Sequence, residues 1–477
     1  MHMITSLRRI TTRHTFWLST MAYLFAALLL CYPQWTVDDA FISLRYARNL
    51  VEYGQLTWNP NEAPIEGYTG IVWTLLAAGA IWAHLPALMV LNLVTLISTL
   101  VMLVLVDHIL VDVGAELPQR LFARGLLIGA GWWPIHAMSG LETMLYTALI
   151  LASVRAWLRR SPWLPLVCLV CALTRPEGVL LVLALVVASW WRGDRWSLLR
   201  WDGFVVPGAA YFAWRWSYYG QLFPNTFYVK GMSGTNSWLH ILNFLILGVI
   251  PLAIAWYQSQ PQYDRLRLYR SLVISLGTMI SMLMLFYGQS ELMMNYGNRF
   301  LVPLHPLIII GLVATWGTIR LRSFPLVAYA LLSAIYCLGG GVNAYFYAVM
   351  EREEHTAAAT WIADHLPPDA TLMTIVDAGL VPYQTGLRTI DAGGLNDVYL
   401  AHSRDPQARA TYLLNQQADV ILLATGDLGI SAAEATRQVL VADPRWIQHY
   451  HLEQTFRRQM QFEYHQEVWV RNGTSLR

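Results

Sequence analysis

The sequence predicts a polytopic α-helical membrane protein of about eleven membrane-spanning helices with a C-terminal α/β extracytoplasmic domain. Composition is the first reason: 56% of the 477 residues are apolar and only 13% are charged, whereas soluble domains carry about 25% charged residues. The second is a series of long apolar runs up to residue 347. The third is a change near residue 351 to a charged segment in which strand and helix patterns alternate.

The apolar runs have lengths typical of membrane-spanning helices, which need about 20 residues, with a range of about 17 to 25. The candidate runs are 16–33, 85–106, 121–138, 140–158, 162–174, 178–191, 203–219, 236–257, 271–288, 300–318 and 324–347. The runs 162–174 and 178–191 are short. A further run, Tyr68 to Trp82, is also short, so it either crosses the membrane or lies against it.

The first run follows a cluster of arginines, Arg8, Arg9 and Arg13, which is the charge pattern of a signal sequence. No small-residue cleavage site follows the run, because Pro33-Gln34-Trp35 comes next. We therefore expect a retained first helix.

The distribution of arginine predicts the orientation, because cytoplasmic loops carry an excess of Lys and Arg. If 68–82 does not span, the cytoplasmic side receives Arg8, Arg9, Arg13, Arg155, Arg159, Arg160, Arg192, Arg195, Arg200, Arg265, Arg267, Arg270, Arg320 and Arg322. If it did span, every cluster after the first would lie outside. We therefore predict a re-entrant or interfacial 68–82 segment and a cytoplasmic N-terminus. The membrane domain is then 1–349, with its first outside loop at 34–84, and residues 350–477 lie outside.

Residues 350–477 have the pattern of a small soluble α/β domain. The predicted strands are Thr371–Val376, Arg388–Asp391, Val420–Leu423 and Val468–Val470, and the predicted helices are 352–366, 404–416 and 431–440. Pro367-Pro368 ends the first of these helices.

Charge and cysteine content argue against other classes of protein. The net charge of +2 gives no argument for a nucleic-acid partner. The cysteines Cys31, Cys168, Cys171 and Cys337 all lie in apolar runs, which argues against a disulfide framework. Cys168 and Cys171 have zinc-like spacing, but no second Cys or His pair accompanies them. We expect them to be packing residues.

The first outside loop contains the segment with the clearest chemistry. Apolar residues recur at helical spacing through Val37–Val51, which predicts an amphipathic helix on the membrane surface. Asp38 and Asp39 lie at its N-terminus. One interpretation is a helix cap with a favourable dipole interaction, but one cap accounts for one aspartate. Adjacent carboxylates beside apolar spans are costly unless they have a function, so the pair is the candidate catalytic site.

Other charged residues lie at the outer ends of the predicted helices. They are Glu142, Arg175, Glu177, Lys230, Glu291 and Arg299. The cations among them depart from the positive-inside trend, so they need an anionic partner outside or in a cavity. Two alternatives stay open: Arg175 pairs internally with Glu177 or Glu142, and Lys230, the one lysine of the chain, is solvated in a loop.

Motifs spread along the chain together resemble a known family. Those of the first loop are Asp38-Asp39, Tyr46-Ala47-Arg48, Trp58-Asn59-Pro60 and Glu66-Gly67-Tyr68-Thr69. They resemble the first periplasmic loop of the GT-C glycosyltransferases, membrane enzymes that use polyprenyl-phosphate sugars. The later motifs are Ser139–Glu142, Thr174–Gly178, Pro224–Tyr228, Asn298–Phe300, Asp377–Gly379, Tyr383 and Asp391–Asp397. These resemble the branch that contains the mycobacterial terminal arabinofuranosyltransferase, the last three of them its outer domain.

The resemblance implies inverting transfer of a sugar, arabinofuranose in that branch, from a polyprenyl-phosphate donor. The acceptor would be an envelope glycan or glycoprotein on the outer face of a bacterial cytoplasmic (inner) membrane. In this family the first acid of the pair, here Asp38, serves as general base. The lipid phosphate is already a good leaving group, so the protein must supply a base and cations.

Roles for the other candidates follow from the same comparison. Arg175, Lys230 and Arg299 are the candidate donor-phosphate ligands. The candidate acceptor-binding or supporting residues are Glu142, Glu177, Tyr68, Asn225 and Glu291. Nothing in the sequence indicates a divalent metal, and Asp39 is the one candidate ligand for it.

Two other functions stay open at this point. A transporter or flippase of a lipid-linked sugar would also need intramembrane charges and a basic phosphate site. Its expected inverted repeat is not visible, and a large outer domain is unusual for that role. A non-catalytic assembly subunit would not need the acidic pair.

Overall fold

The computed structural model describes residues 36–130, 133–191, 193, 201–231, 237–259, 270–292, 295–316, 324–425, 431–457 and 464–477. The predicted first span, Cys31 and several of the predicted cytoplasmic arginines lie outside these residues. These arginines are Arg8, Arg9, Arg13, Arg192, Arg195, Arg200, Arg265, Arg267, Arg320 and Arg322.

Helices dominate the chain up to residue 365. They are α1 (Asp39–Tyr53), α2 (Ile71–Trp82), α3 (Ala87–Asp112), α4 (Leu117–Gly129), α5 (Trp133–Ala137), α6 (Thr143–Leu158), α7 (Leu164–Thr174), α8 (Gly178–Trp191), α9 (Asp202–Tyr219), α10 (Asn225–Lys230), α11 (Ser237–Gln258), α12 (Arg270–Gly288), α13 (Leu304–Ala314) and α14 (Phe324–His365). Each apolar run from 85–106 onward corresponds to one of these helices, except that 121–138 contains two, α4 and α5.

Membrane-spanning length is reached by part of this set. Among the described residues, α3, α11 and α14 are long and apolar enough to cross a membrane, and other apolar helices are shorter. Helix α2 has 12 residues, or about 18 Å at 1.5 Å per residue, against a hydrocarbon core of about 30 Å. Helices α7 and α13, which lie in predicted spans, have 11 residues each, so length does not decide whether α2 spans, and its position stays a prediction. The count of about eleven spans stays a prediction.

The predicted helix 352–366 is helical as far as His365, but it continues a preceding helix and does not begin a new one. The chain from Phe324 to His365 is one continuous helix, and Glu351–Thr356 forms a π-helical turn within it. Residues 342–365 contain no glycine or proline, so local geometry does not break the helix. Single π-helical turns occur frequently at functional sites.

The elements after residue 365 form a mixed sheet with flanking helices. They are β1 (Thr371–Ile375), α15 (Leu380–Thr385), β2 (Arg388–Asp391), α16 (Val398–His402), α17 (Pro406–Asn415), β3 (Val420–Thr425), α18 (Ser431–Ala442), α19 (Pro444–His449), β4 (Tyr450–Phe456) and β5 (His465–Arg471). The strand order is β2-β1-β3-β5-β4. Strand β1 is parallel to β2 and β3, while β5 is antiparallel to β3 and β4. The four predicted strands are present, and β4 was not predicted.

The chain forms two compact units that are each discontinuous in sequence. The first contains Asn92–Gly208 and Ser233–Tyr345, and the second contains Thr36–Leu91, Ala209–Met232 and Phe346–Arg477. The boundary between residues 349 and 350 stays a prediction.

The core of the first unit is formed by helices whose buried faces carry large apolar side chains. Trp133, Tyr146, Trp157 and Phe244 are all buried in it. One buried polar group of this core has a partner on a neighbouring helix: Trp157 Nε1 donates to Ser189 Oγ at 2.8 Å. Partnered polar groups are what burial in an apolar interior requires.

In the second unit, α1 packs its apolar face on protein. Ala40, Leu44 and Tyr46 are buried, and α1 contacts α2 and α15. Arg45 on the same helix is 1% exposed and donates to the carbonyl oxygens of Trp58 and Leu387 at 2.9 and 2.7 Å. These bonds attach the first loop to the segment that precedes β2. The predicted position of α1 on the membrane surface stays a prediction.

A buried ion pair that the sequence analysis missed also lies in this unit. Arg215 Nε contacts Glu66 Oε2 at 2.6 Å, and both side chains are buried. Arg215 was assigned to an apolar run, and its partner lies 149 residues away, so no local signal identified the pair.

Candidate active site

Asp38 is buried at the N-terminus of α1 and accepts two backbone hydrogen bonds. Its Oδ2 accepts from the N–H of Gly379 at 2.8 Å, and its Oδ1 accepts from the N–H of Leu380 at 2.7 Å. The side chain makes no capping bond to its own helix. The interpretation of Asp38 as a side-chain cap is therefore wrong. Its carboxylate is instead held by the turn that begins α15.

Gly379 is placed so that no larger residue fits. A Cβ on Gly379 would overlap the carbonyl oxygen of Asp38 and lie 2.6 Å from its Oδ2. This close approach explains a glycine at the start of α15.

Two side chains of the π-helical turn in α14 complete the surroundings of Asp38. One ligand atom from each of Asp38, Glu351 and His355 lies within 4.8 Å of the others, and all three residues are buried. All belong to the second compact unit. The sequence analysis missed Glu351 and His355. Their i, i+4 spacing directly after an apolar run was the available signal, because it places both on one face of a helix.

Asp377 extends this group through His355. His355 Nε2 lies 3.4 Å from Asp377 Oδ2 and 3.2 Å from the hydroxyl of Tyr464. The Tyr464 hydroxyl donates to Asp377 Oδ2, and Gln466 Nε2 donates to the same oxygen at 2.8 Å. We call Asp38, Glu351, His355 and Asp377 the acid–histidine cluster.

Electrostatics separate the two aspartates of this cluster. Burial raises the pKa of Asp38 well above its ordinary value, and the nearby carboxylates of Glu351 and Asp377 raise it further. Burial acts in the same direction on Asp377, but His355 beside it outweighs burial, and the pKa of Asp377 is lowered. When ionised, Asp38 is therefore the stronger base of the two.

The first compact unit contains a second group of charges around Arg175. Its Nη1 contacts Glu142 Oε1 and its Nε contacts Glu177 Oε1, each at 2.6 Å, with all three residues buried. Tyr287 donates to Glu177 Oε1 at 2.7 Å. The alternative that Arg175 pairs internally is thus observed, and with both carboxylates. Its use as a phosphate ligand stays a prediction.

Arg299 lies beside this group through a shared aromatic ring. The guanidinium carbons of Arg175 and Arg299 lie 5.0 and 4.9 Å from the centroid of the Phe300 ring. Both distances are in the range of cation–π contacts. The structure thus brings together Arg175, Arg299, Glu142 and Glu177 of the predicted site residues.

The remaining predicted residues are distributed through the chain. Lys230 is the last residue of α10 and is half-buried. Asn225 begins that helix, and its Nδ2 donates to the carbonyl oxygens of Gly394 and Leu395 at 2.8 and 3.0 Å. Asn225 therefore has a structural role.

Tyr68, Glu291 and Asp39 complete the set. The buried hydroxyl of Tyr68 is 3.1 Å from that of Tyr219. Glu291 is half-buried outside the helices, and Asp39 is the half-buried first residue of α1. In the described residues Asp39 is not part of the acid–histidine group that could hold a metal. Their predicted functional roles stay predictions.

The fold of this chain is that of a solved membrane glycosyltransferase of the GT-C type. It is similar to ArnT from Cupriavidus metallidurans, solved bound to undecaprenyl phosphate. The match has a TM-score of 0.62 at 15% identity and covers 96% of this chain and 98% of that one. ArnT in the apo state matches with a TM-score of 0.62 at 13% identity. At such low identity the likeness shows the fold alone, and the predicted fold type is confirmed at that level.

Sequence comparison adds a particular relative. The chain is 30% identical over 246 residues to the terminal beta-(1->2)-arabinofuranosyltransferase of Mycobacterium tuberculosis. The aligned part is 44% of this chain and spans 38% of that relative. Residues 344–470 also match a family model described as a domain of unknown function (DUF8728). The predicted resemblance to this branch of polyprenyl-phosphate-sugar glycosyltransferases is confirmed.

Proposed function

We propose that this chain is an inverting membrane glycosyltransferase that uses a polyprenyl-phosphate sugar. The observation that carries the proposal is the Asp38 carboxylate, which is held by two backbone N–H groups in a buried group of titratable side chains. Each oxygen accepts one of these bonds and retains a lone pair for an incoming proton. Burial raises the pKa of Asp38, which makes its ionised carboxylate a stronger base toward an acceptor hydroxyl.

The proposed reaction needs one proton acceptor. The acceptor hydroxyl oxygen attacks the anomeric carbon of the sugar from the face opposite the phosphate, and the bond from that carbon to the phosphate oxygen breaks. The hydroxyl proton passes to Asp38, and the polyprenyl phosphate leaves. Single displacement of this kind inverts the anomeric configuration.

The sugar and the acceptor are finer parts of the proposal. Arabinofuranose is favoured by the similarity to the mycobacterial enzyme, and ArnT with bound undecaprenyl phosphate favours a polyprenyl-phosphate donor. The acceptor would be an envelope glycan or glycoprotein. We place the reaction on the outer face of a bacterial cytoplasmic membrane, with residues 350–477 outside.

Purified protein tested against a panel of polyprenyl-phosphate sugars examines this function directly. We expect one donor, the arabinofuranose lipid, to be consumed with transfer to an acceptor and inversion at the anomeric carbon. Transfer of another sugar would support the glycosyltransferase class and overturn the proposed arabinofuranose donor. Donor movement across proteoliposomes without transfer would favour a transporter, and neither activity would favour an assembly subunit.

The orientation has its own test. We expect a cysteine introduced at exposed Gln407 to react with a membrane-impermeant thiol reagent from the outside of intact cells. A cysteine at Arg159, in a predicted cytoplasmic loop, is the control and should react only after the membrane is opened. Labelling of Gln407→Cys from the cytoplasmic side alone would overturn the proposed topology.

Donor binding is expected to depend on the cations. Lys230→Met should weaken the apparent affinity for the donor lipid, whereas Lys230→Arg should retain most of it. Arg175→Met is a less specific test, because it leaves the carboxylates of Glu142 and Glu177 buried without their cation. Breaking a buried pair in this way costs about 3–5 kcal/mol of stability. Unchanged donor affinity in Lys230→Met would remove Lys230 from the site.

A further inference from the structure

The acid–histidine cluster contains a carboxylate whose oxygens have no hydrogen-bond donor. Glu351 is 6% exposed, and neither of its carboxylate oxygens accepts a hydrogen bond. Its contact within the described residues is with His355, whose Nδ1 lies 3.1 Å from Glu351 Oε2 without hydrogen-bond geometry. A buried carboxylate is costly unless it is hydrogen-bonded, paired or coordinates a metal.

Hydrogen bonding of the other ring nitrogen indicates how His355 presents Nδ1. The Tyr464 hydroxyl donates to Asp377 and accepts from Gln466, so it acts as an acceptor toward His355 Nε2 at 3.2 Å. Nε2 therefore carries a proton, and Nδ1 faces Glu351 Oε2. Two acceptor atoms at this distance need either a proton on Nδ1 or a bound cation between them.

Charge counting leads to the same requirement. Asp38, Glu351 and Asp377 are three buried carboxylates. In the part of the chain that the structure describes, His355 is the one cationic group in ion-pair contact with any of them. Even a protonated His355 leaves the group with an excess of negative charge when the carboxylates are ionised. A divalent cation would remove that excess.

We propose that Asp38, Glu351 and Nδ1 of His355 bind a divalent cation in the second compact unit. The ligand atoms already lie within 4.8 Å of one another. Asp377 is a positioning residue in this arrangement, because a carboxylate that accepts the second N–H of a metal-binding imidazole orients the ring and increases its basicity. The position of Glu351 and His355 in a π-helical turn fits a functional distortion of α14.

The ligand set indicates which cation to expect. Carboxylates suit Mg²⁺, Ca²⁺ and Mn²⁺, whereas imidazole suits Zn²⁺ and other transition metals. Two carboxylates and one imidazole therefore favour Mn²⁺ or Zn²⁺. In the proposed transfer reaction, the cation would help to hold Asp38 in its ionised form. This role rests on the proposed function, but metal binding itself does not.

Metal binding is measured on the full chain in detergent without substrate. We expect chelator-free protein to contain near-stoichiometric metal by mass spectrometry, and EDTA-treated protein to gain thermal stability when Mn²⁺ or Zn²⁺ is added. Glu351→Gln should weaken that binding by at least about tenfold, and Asp377→Asn by about 10- to 100-fold. Glu353→Gln, an exposed acid on the same turn, is the matched control and should behave as wild type.

Several outcomes would overturn the site. The first is wild-type protein that contains no metal and shows no thermal shift in Mn²⁺ or Zn²⁺, which would mean that protons alone neutralise the cluster. The second is equal metal affinity in Glu351→Gln and Glu353→Gln. If Glu351→Gln does not fold, Asp377→Asn provides the same comparison. Metal binding without transfer from any donor would refute the proposed function and retain the site. Transfer by EDTA-treated protein at the wild-type rate would retain the function and refute a role of the cation in it.

Discussion

Replacing Asp38 with Asn is expected to abolish sugar transfer, with a rate loss of about 10²–10⁴-fold, the usual effect of removing a general base. The amide cannot take the proton of the acceptor hydroxyl. Donor binding should persist, because the candidate donor ligands are other residues. The measurement is single-turnover transfer with saturating donor, together with the thermal unfolding midpoint and donor affinity of the variant.

Stability alone does not discriminate between the catalytic and structural roles of Asp38. Both of its oxygens accept backbone hydrogen bonds, so the amide nitrogen of Asn would leave one buried N–H without an acceptor. Such a loss costs about 1–3 kcal/mol. A reduced melting temperature is therefore expected in Asp38→Asn whether the role of Asp38 is catalytic or structural. The rate of sugar transfer distinguishes the two roles.

Asp391→Asn is the matched control for this effect. Asp391 is 1% exposed, and its two oxygens accept from the N–H groups of Gly393 and Asn396, each at 2.9 Å. It resembles Asp38 in burial and hydrogen bonding but has no role in the proposed reaction. We expect a comparable loss of stability and near-normal transfer by the folded fraction.

Asp39→Asn tests the assignment within the pair. We expect a milder loss than in Asp38→Asn, because Asp39 is half-buried and lies outside the acid–histidine cluster. An inactive Asp39→Asn with an active Asp38→Asn would reverse the assignment and retain the class. Near-normal turnover in both variants would count against the proposed catalytic mechanism.

Gly379→Ala is expected to have the second-largest effect, a loss of about 10²-fold in transfer, the scale of a displacement of about 1 Å at a catalytic group. The new methyl group would overlap the Asp38 carbonyl oxygen and lie 2.6 Å from Oδ2. Either the start of α1 or the turn before α15 must move, and each movement disturbs the N–H groups that hold the carboxylate. Overpacking should also cost about 1–3 kcal/mol of stability.

Gly79→Ala is the control for a glycine in the same compact unit. Gly79 lies within α2, and a Cβ there would meet no atom within 4 Å. Alanine in a helix interior is favourable by about 0.5–1 kcal/mol relative to glycine. Transfer should be unchanged. A Gly379→Ala enzyme with wild-type rate and melting temperature would show that Asp38 does not depend on this turn.

Most helices and strands lie where the pattern of residues along the chain predicts them. The run 85–106 corresponds to α3 (Ala87–Asp112), and strand β2 has the predicted bounds, Arg388–Asp391. These elements are set by hydrophobic length and periodicity, which are local properties of the chain. Strand β4 reads Tyr-His-Leu-Glu-Gln-Thr-Phe and is largely exposed at the edge of the sheet. Because an exposed edge strand does not need a run of apolar residues, its sequence has no apolar pattern that would have identified it.

Which side chains act together depends on contacts between segments that lie far apart in the chain. Asp38 stood out in the sequence as an acid at a helix start, but its backbone partner Gly379 lies 341 residues away. Glu351 and His355 were assigned to an ordinary helix, and continuity of α14 through Glu351–Thr356 gave them their place beside Asp38. For Arg175, the sequence suggested Glu177 or Glu142 as an internal partner. The structure shows that Arg175 contacts both carboxylates. Contacts between distant segments depend on how whole elements pack, and no local pattern of residue types encodes that arrangement.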